Sequence, residues 1–155
     1  MAIVQAMCTS FKAELLLGVH DFRNTSGDTF KIALYTSSAS LGSDTTAFTT
    51  SNEVSGTNYT SGGNDLDKVS ATFPNTSGST AFMDFEDETF SNVTITAAGA
   101  LIYNSTPSAA DKSNSSLTNP AVCVLNFGGD KSASSGNFKV VFPTGDVSNA
   151  IIRIA

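Results

Sequence analysis

The chain has no tryptophan, one histidine, two cysteines and two arginines (Arg23 and Arg153) in 155 residues. Each scarcity removes a class of function. Zinc takes three or four His or Cys ligands at one point, and Cys8, His20 and Cys123 are scattered along the chain. Two cysteines so far apart read as free, buried thiols rather than a disulfide framework. Nucleic-acid binders carry a basic stripe, whereas here 8 Lys and Arg stand against 14 Asp and Glu, a net charge of −6. Neither nucleic acid nor a membrane surface is expected as a partner. No apolar run approaches the roughly 20 residues of a membrane span. The opening "MAIVQAMCTSFKAELLLG" lacks the basic start of an export signal, so synthesis and folding in a cytoplasm are expected. Six Asn-x-Ser/Thr triplets then follow from composition rather than marking glycan sites.

What is abundant points to strands. Ser, Thr and Asn make up about a third of the chain, charged residues only 14%, and the apolar residues are rich in Phe, Val and Ile. That balance favours strands and polar turns over helices. From Thr29 the apolar residues alternate. Phe30, Ile32 and Leu34 share one face of "TFKIALY"; Val69, Ala71 and Phe73 share one face of "KVSATF". Ala81, Met83 and Phe85 do so in "AFMDF", and Phe138, Val140 and Phe142 in "NFKVVFP". Alternation of this kind marks half-buried strands. "GALIYN" (99–104) and "AVCVLNF" (121–127) are apolar on both faces and read as central strands; "AIIRIA" (150–155) reads as the last. Between Leu125 and Pro143, the Gly- and Ser-rich stretch "GGDKSASSG" reads as a hairpin loop joining two strands. Three polar stretches, 36–50, 54–64 and 105–119, read as flexible surface connections.

The expected fold is mainly all-β: one antiparallel sandwich or jelly-roll domain of about eight strands over residues 1–155, with one short N-terminal helix. The helix is expected over about twelve residues, with Thr9 or Ser10 as its N-cap, ending at "RNTSGD". Phe11, Leu15, Val19 and Phe22 would form its apolar stripe. A helix so short needs something to pack on, either the sheet or a neighbouring subunit. The stripe is the candidate interface, with segment 1–22 mediating assembly and its removal leaving a folded β domain.

Reactive constellations are hard to assemble from this chain. His20 would have to serve any Ser–His–Asp triad, and it sits beside Asp21 on the expected helix with no G-x-S-x-G elbow anywhere. The densest charge, Asp84, Glu86, Asp87 and Glu88 in "DFEDE", lacks calcium-loop spacing and reads as a solvated acidic edge. "SGGN" (61–64) and "FGGD" (127–130) lack the Lys-Ser/Thr ending of a phosphate loop and read as turn glycines. No catalytic residue, cofactor or metal is expected.

Several segments in order, "MAIVQAMCTSFKAELL", "TFKIALYTSSASLG", "NEVSGTNYTSGG", "TITAAGALIYN", "VLNFGGDKSASSGNF" and "NAIIRIA", resemble small virion structural proteins of tailed bacteriophages. The resemblance spans most of the chain and carries no site residues. It implies a virion component, chiefly a capsid decoration (cement) protein on the major capsid protein or another virion protein, made in the host cytoplasm and homo-oligomeric, a trimer being favoured. The alternative is a tail or head fibre component, or a tip binding a receptor or carbohydrate. Such a tip would display exposed aromatics, for which Tyr35, Tyr59 and Tyr103 are the available tyrosines.

Overall fold

Val/Ile/Phe-rich runs become the core strands, while Gly and Asn take most of the left-handed backbone positions, both at bends and at bulges within strands. The computed structural model describes residues 2–69, 74–107 and 117–155. It is 47% strand and 6% helix. The elements are β1 (Ala6–Met7), α1 (Thr9–Leu16), β2 (Phe30–Tyr35), β3 (Asn64–Leu66), β4 (Asn75–Ser77), β5 (Thr80–Met83), β6 (Glu88–Asn104), β7 (Ala121–Val140) and β8 (Ile152–Ile154). Two antiparallel sheets result, one of five strands in the order β1-β7-β6-β2-β3 and one of three in the order β4-β5-β8. A single hydrophobic cluster joins Phe30, Ile32, Leu101 and Val124 of the larger sheet to Met83 and Ile152 of the smaller. The sandwich-like all-β reading holds. The alternating pattern of "KVSATF" falls mostly on 70–73, outside the described residues, as does the greater part of the 105–119 connection.

The "GGDKSASSG" stretch is not a hairpin loop. It lies inside β7, a strand of 20 residues laddered against the 17 of β6. Pairing runs from Tyr103↔Ala121 to Glu88↔Val140, and bulges absorb the surplus residues. Between Ala97↔Lys131 and Gly99↔Asn126 the ladder leaps over Phe127–Asp130, where Gly128 (φ +72°) and Gly129 (φ +127°) bulge outward. So "FGGD" does use its glycines for left-handed backbone, but within a strand. Asn92 and Ser135 also take positive φ. Here the ribbon turns a corner: the rings of Phe127 and Phe138, eleven residues apart on one strand, lie 6.0 Å from each other. Fully extended chain would separate them by roughly 36 Å. The misreading has a physical cause. This limb of β7 is wetted, so it shows none of the apolar alternation that marks a half-buried strand.

The helix is shorter than expected. α1 has eight residues; its N-cap is Cys8, which makes no side-chain cap bond, so neither Thr9 nor Ser10 plays that part. Gly18 (φ +72°) ends it in a Schellman arrangement: the Val19 N–H donates to the Glu14 carbonyl (3.0 Å) and the Gly18 N–H to that of Leu15 (3.2 Å). Val19 and Phe22 therefore lie beyond the helix. Phe11, Val19 and Phe22 are buried within the chain itself, with Leu15 half-buried against the core. The stripe offered as a subunit interface is thus mostly spent inside the protomer; Leu16 (91% exposed) and Leu17 (55%) are what α1 turns outward. Since β1 pairs with β7 and Cys8 and Phe11 are fully buried, segment 2–22 is part of the core rather than an appendage. Phe11→Ala is expected to cost roughly 3–5 kcal/mol and Leu16→Ser less than about 0.5 kcal/mol. Urea unfolding of the two variants checks the assignment, and equal losses would contradict it.

The two fully described connections are tied down rather than loose. Leu41 and Val54 are buried, Phe48 stacks on Tyr103 at 4.7 Å, and Tyr35 and Glu53 form a β-bridge.

Candidate functional site

The chain's one imidazole is where any acid–base chemistry would begin. The Schellman turn carries the backbone from α1 back over the large sheet and puts His20 against Phe11, Phe22 and Phe30, at ring separations of 4.9, 6.3 and 6.2 Å. Its side chain has no exposed surface. Both ring nitrogens are engaged: Nε2 lies 2.7 Å from Glu14 Oε2 and Nδ1 lies 3.0 Å from Asn104 Nδ2.

The neighbours settle which nitrogen carries the proton. Asn104 Oδ1 accepts from the Thr106 N–H (3.0 Å), which fixes the amide so that its NH2 faces His20. An NH2 only donates, so Nδ1 accepts and the proton resides on Nε2, donating to Glu14. The second Asn104 hydrogen goes to Asp28 Oδ2 (2.7 Å), which also accepts from the Asp21 N–H (2.8 Å). Asp21 in turn holds Arg23 in a bidentate pair that draws its carboxyl down to about 2. Burial lowers the His20 pKa against the opposing pull of Glu14 and Asp28, so the imidazole is held neutral. A fully satisfied, sealed imidazole locks α1 to the end of β6; it has no lone pair left for a substrate.

Other candidates disperse. The "DFEDE" stretch is the link from β5 to β6, and its first member is no solvated edge. Asp84 is completely buried, with Oδ1 accepting from the Phe85 N–H (2.9 Å) and Oδ2 meeting no hydrogen-bond partner among the described residues. Burial raises its pKa, opposed by backbone N–H groups of Phe85 and Ile151. Glu86 is exposed, Asp87 pairs with Lys139 (2.9 Å), and Glu88 accepts from Asn64 Nδ2 (2.7 Å). The four carboxylates therefore face different surroundings. Cys8 and Cys123 are free and buried, as expected of them; burial pushes the Cys8 thiol up to about 11 and that of Cys123 higher still.

The tyrosines are not display groups. Tyr35 and Tyr103 are buried and Tyr59 is half-buried against the core. Their hydroxyls donate to the Thr49 carbonyl (2.6 Å), the Gly62 carbonyl (2.8 Å) and Glu53 Oε1 (2.9 Å). Glu53 gathers this region, accepting also from Ser61 Oγ (2.6 Å) and the Gly62 N–H (2.7 Å). Among the described residues no aromatic side chain is exposed, and no three His, Cys, Asp or Glu residues converge as a metal site would require. Among those residues, too, no helix is long and apolar enough to cross a membrane.

Glu14, Asn104 and Asp28, the residues that decide the state of His20, carried no motif. Glu14 sits among Phe11 and Leu15 on the buried side of α1, and Asn104 ends the apolar run "GALIYN". A polar side chain in an apolar setting is the signal that a buried partner exists. No protein-family model matches the chain, and neither a curated protein nor a solved structure matches it.

Proposed function

We propose that this protein is a non-enzymatic structural component of a tailed-phage particle, acting as a decoration protein that strengthens the head through surface contacts with the major capsid protein or another virion protein. One observation carries the reading. The side chains best suited to chemistry, His20, Tyr35, Tyr59 and Tyr103, are consumed by bonds that hold the chain together. Function is thereby left to the surface. The segments that resemble phage virion structural proteins supply the setting, and a rigid β-scaffold presented in many copies supplies the means, since modest contacts gain strength through multiplicity. The absence of an exposed aromatic among the described residues weighs against a carbohydrate-binding tip.

The test is reconstitution. Purified protein is added to particles that lack it, and the mixture is sedimented and imaged. Regular density on the head and a raised temperature of head disruption are expected. Protein that stays in the supernatant, or density confined to the tail, overturns the proposal. Its mass in solution, set against the 16.0 kDa chain, tests the expected trimer.

A further inference from the structure

The outer side of β7 carries a groove that the fold leaves unused. β1 covers only Cys123 and Val124 of this strand. Among the described residues, no backbone group from 127 to 140 bonds to any strand other than β6. Because β7 turns its corner near Ser135, Phe127, Lys131 and Ser132 on one side and residues 137–141 on the other become opposite walls of a cleft of about 460 Å³. Phe127 and Phe138 line it together, and Val141, 68% exposed, lies at its margin. Lys131 stands on one wall and Lys139 on the other. Lys131 is exposed and forms no ion pair among the described residues, while Lys139 is shared with Asp87 at 2.9 Å. Asp130 is the one carboxylate adjoining the Lys131 wall in sequence.

Gly128 and Ser135 spend their N–H groups on the Asn126 and Thr94 side chains. The other backbone groups of this limb, which meet no second strand beside a hollow, are what an extended peptide needs to join a sheet. The main chain supplies affinity, and alternate side chains enter the hollow. The charge selects the kind of peptide. On a chain of net charge −6, this cleft brings together two of the six lysines, so it favours carboxylates. A second copy of β7 laid along the first would bring lysines to a lysine-bearing edge, and like charges opposed across a ladder are destabilising.

We propose that the β7 cleft docks an extended segment of a partner protein whose carboxylate side chains meet Lys131 and Lys139 and whose apolar side chain fills the space beside Phe127, Phe138 and Val141. The inference rests on the particle-component reading for the source of that partner, and it assigns the contact.

The probe is a labelled, end-capped peptide of about ten residues alternating Val and Glu, long enough for one strand. Its controls are the same peptide with Lys for Glu, and one N-methylated at alternate residues so that it cannot pair. Binding of the Glu peptide to the intact protein below about 1 mM is expected, with slowed amide exchange confined to residues 127–140. Lys131→Glu with Lys139→Glu should weaken it about tenfold and make the Lys peptide the better ligand. Lys131→Glu alone disturbs no ion pair and keeps the comparison valid should the double variant melt early. No binding, binding indifferent to charge exchange or to N-methylation, or protection elsewhere overturns the proposal. So does concentration-dependent protection of β7 in the protein alone with a doubled mass, which would make a second copy the occupant. A double variant that joins particles as wild type does overturns this contact and leaves the particle reading standing. Wild-type protein that never joins particles removes that reading, whatever the peptide does.

Discussion

Gly63→Ala is expected to lower the unfolding free energy by roughly 4 kcal/mol or more, whereas Gly128→Ala costs about 1 kcal/mol. Both glycines have nearly the same left-handed backbone, φ +70° and +72°, so the intrinsic penalty of adding a methyl group is shared. The surroundings differ. A Cβ on Gly63 would stand 1.8 Å from the Ile32 carbonyl oxygen and 2.8 Å from the Ala33 Cα, both in β2, a strand paired on both sides. No flexible side chain can yield there. A Cβ on Gly128 meets nothing within 4 Å. The closeness at Gly63 is built by its neighbours: Glu53 takes the Gly62 N–H, and the Tyr103 hydroxyl takes the Gly62 carbonyl. Denaturant unfolding of both variants decides the matter, and similar losses would mean that this loop lies farther from β2 than described.

Asn104→Leu is expected to cost about 3 kcal/mol near neutral pH, although leucine is close in volume. The change removes the donor to His20 Nδ1 and one donor to Asp28 Oδ2, with both acceptors remaining buried. The same cluster makes folding acid-sensitive. His20 titrates below its ordinary value of 6.5 when folded, so the unfolded chain takes up its proton first as the pH falls. This contribution is complete above about 6.5 and is lost on acidification below it. Protonating Nδ1 would also turn two donors against each other at Asn104. Asp84 acts in the opposite sense: its raised pKa lets the folded state recover stability as that carboxyl is protonated. The pH dependence of the unfolding midpoint in wild type and His20→Gln separates the two. The slope just below the ordinary histidine value should flatten in the variant, and an unchanged slope would show that His20 does not titrate differently on folding.

Strand-forming segments were legible where apolar residues recur, although β2 is buried on both faces rather than half-wetted, Ala33 and Tyr35 being fully enclosed. β2 and β8 fall where the apolar runs place them, and the double-faced runs "GALIYN" and "AVCVLNF" do lie in the middle of the larger sheet. The continuity of β6 and β7 was not legible. Their outer limbs are held by backbone pairing and bulges, and backbone pairing leaves no mark on side-chain pattern. The apolar set Phe11, Leu15, Val19 and Phe22 was found, though only the first two lie on α1, and its destination was not, because periodicity reports that a face is buried and is silent about what buries it. The His20 cluster was invisible for another reason. Its members come from residues 14, 20, 28 and 104, and only the fold brings them within bonding distance.

The pairing of β1 with β7 bears on how the polypeptide is made. Ala6 finds its ladder partner at Val124, 118 positions later (124 − 6). At about 5–20 residues per second, translation takes roughly 6–24 s to cover that interval. Throughout that time the stretch with Phe11 and Cys8 in it lacks the strand against which it will close. A nascent polypeptide in this condition depends on the sparse hydrophobicity of that stretch, or on a chaperone, to remain unaggregated until β7 is made.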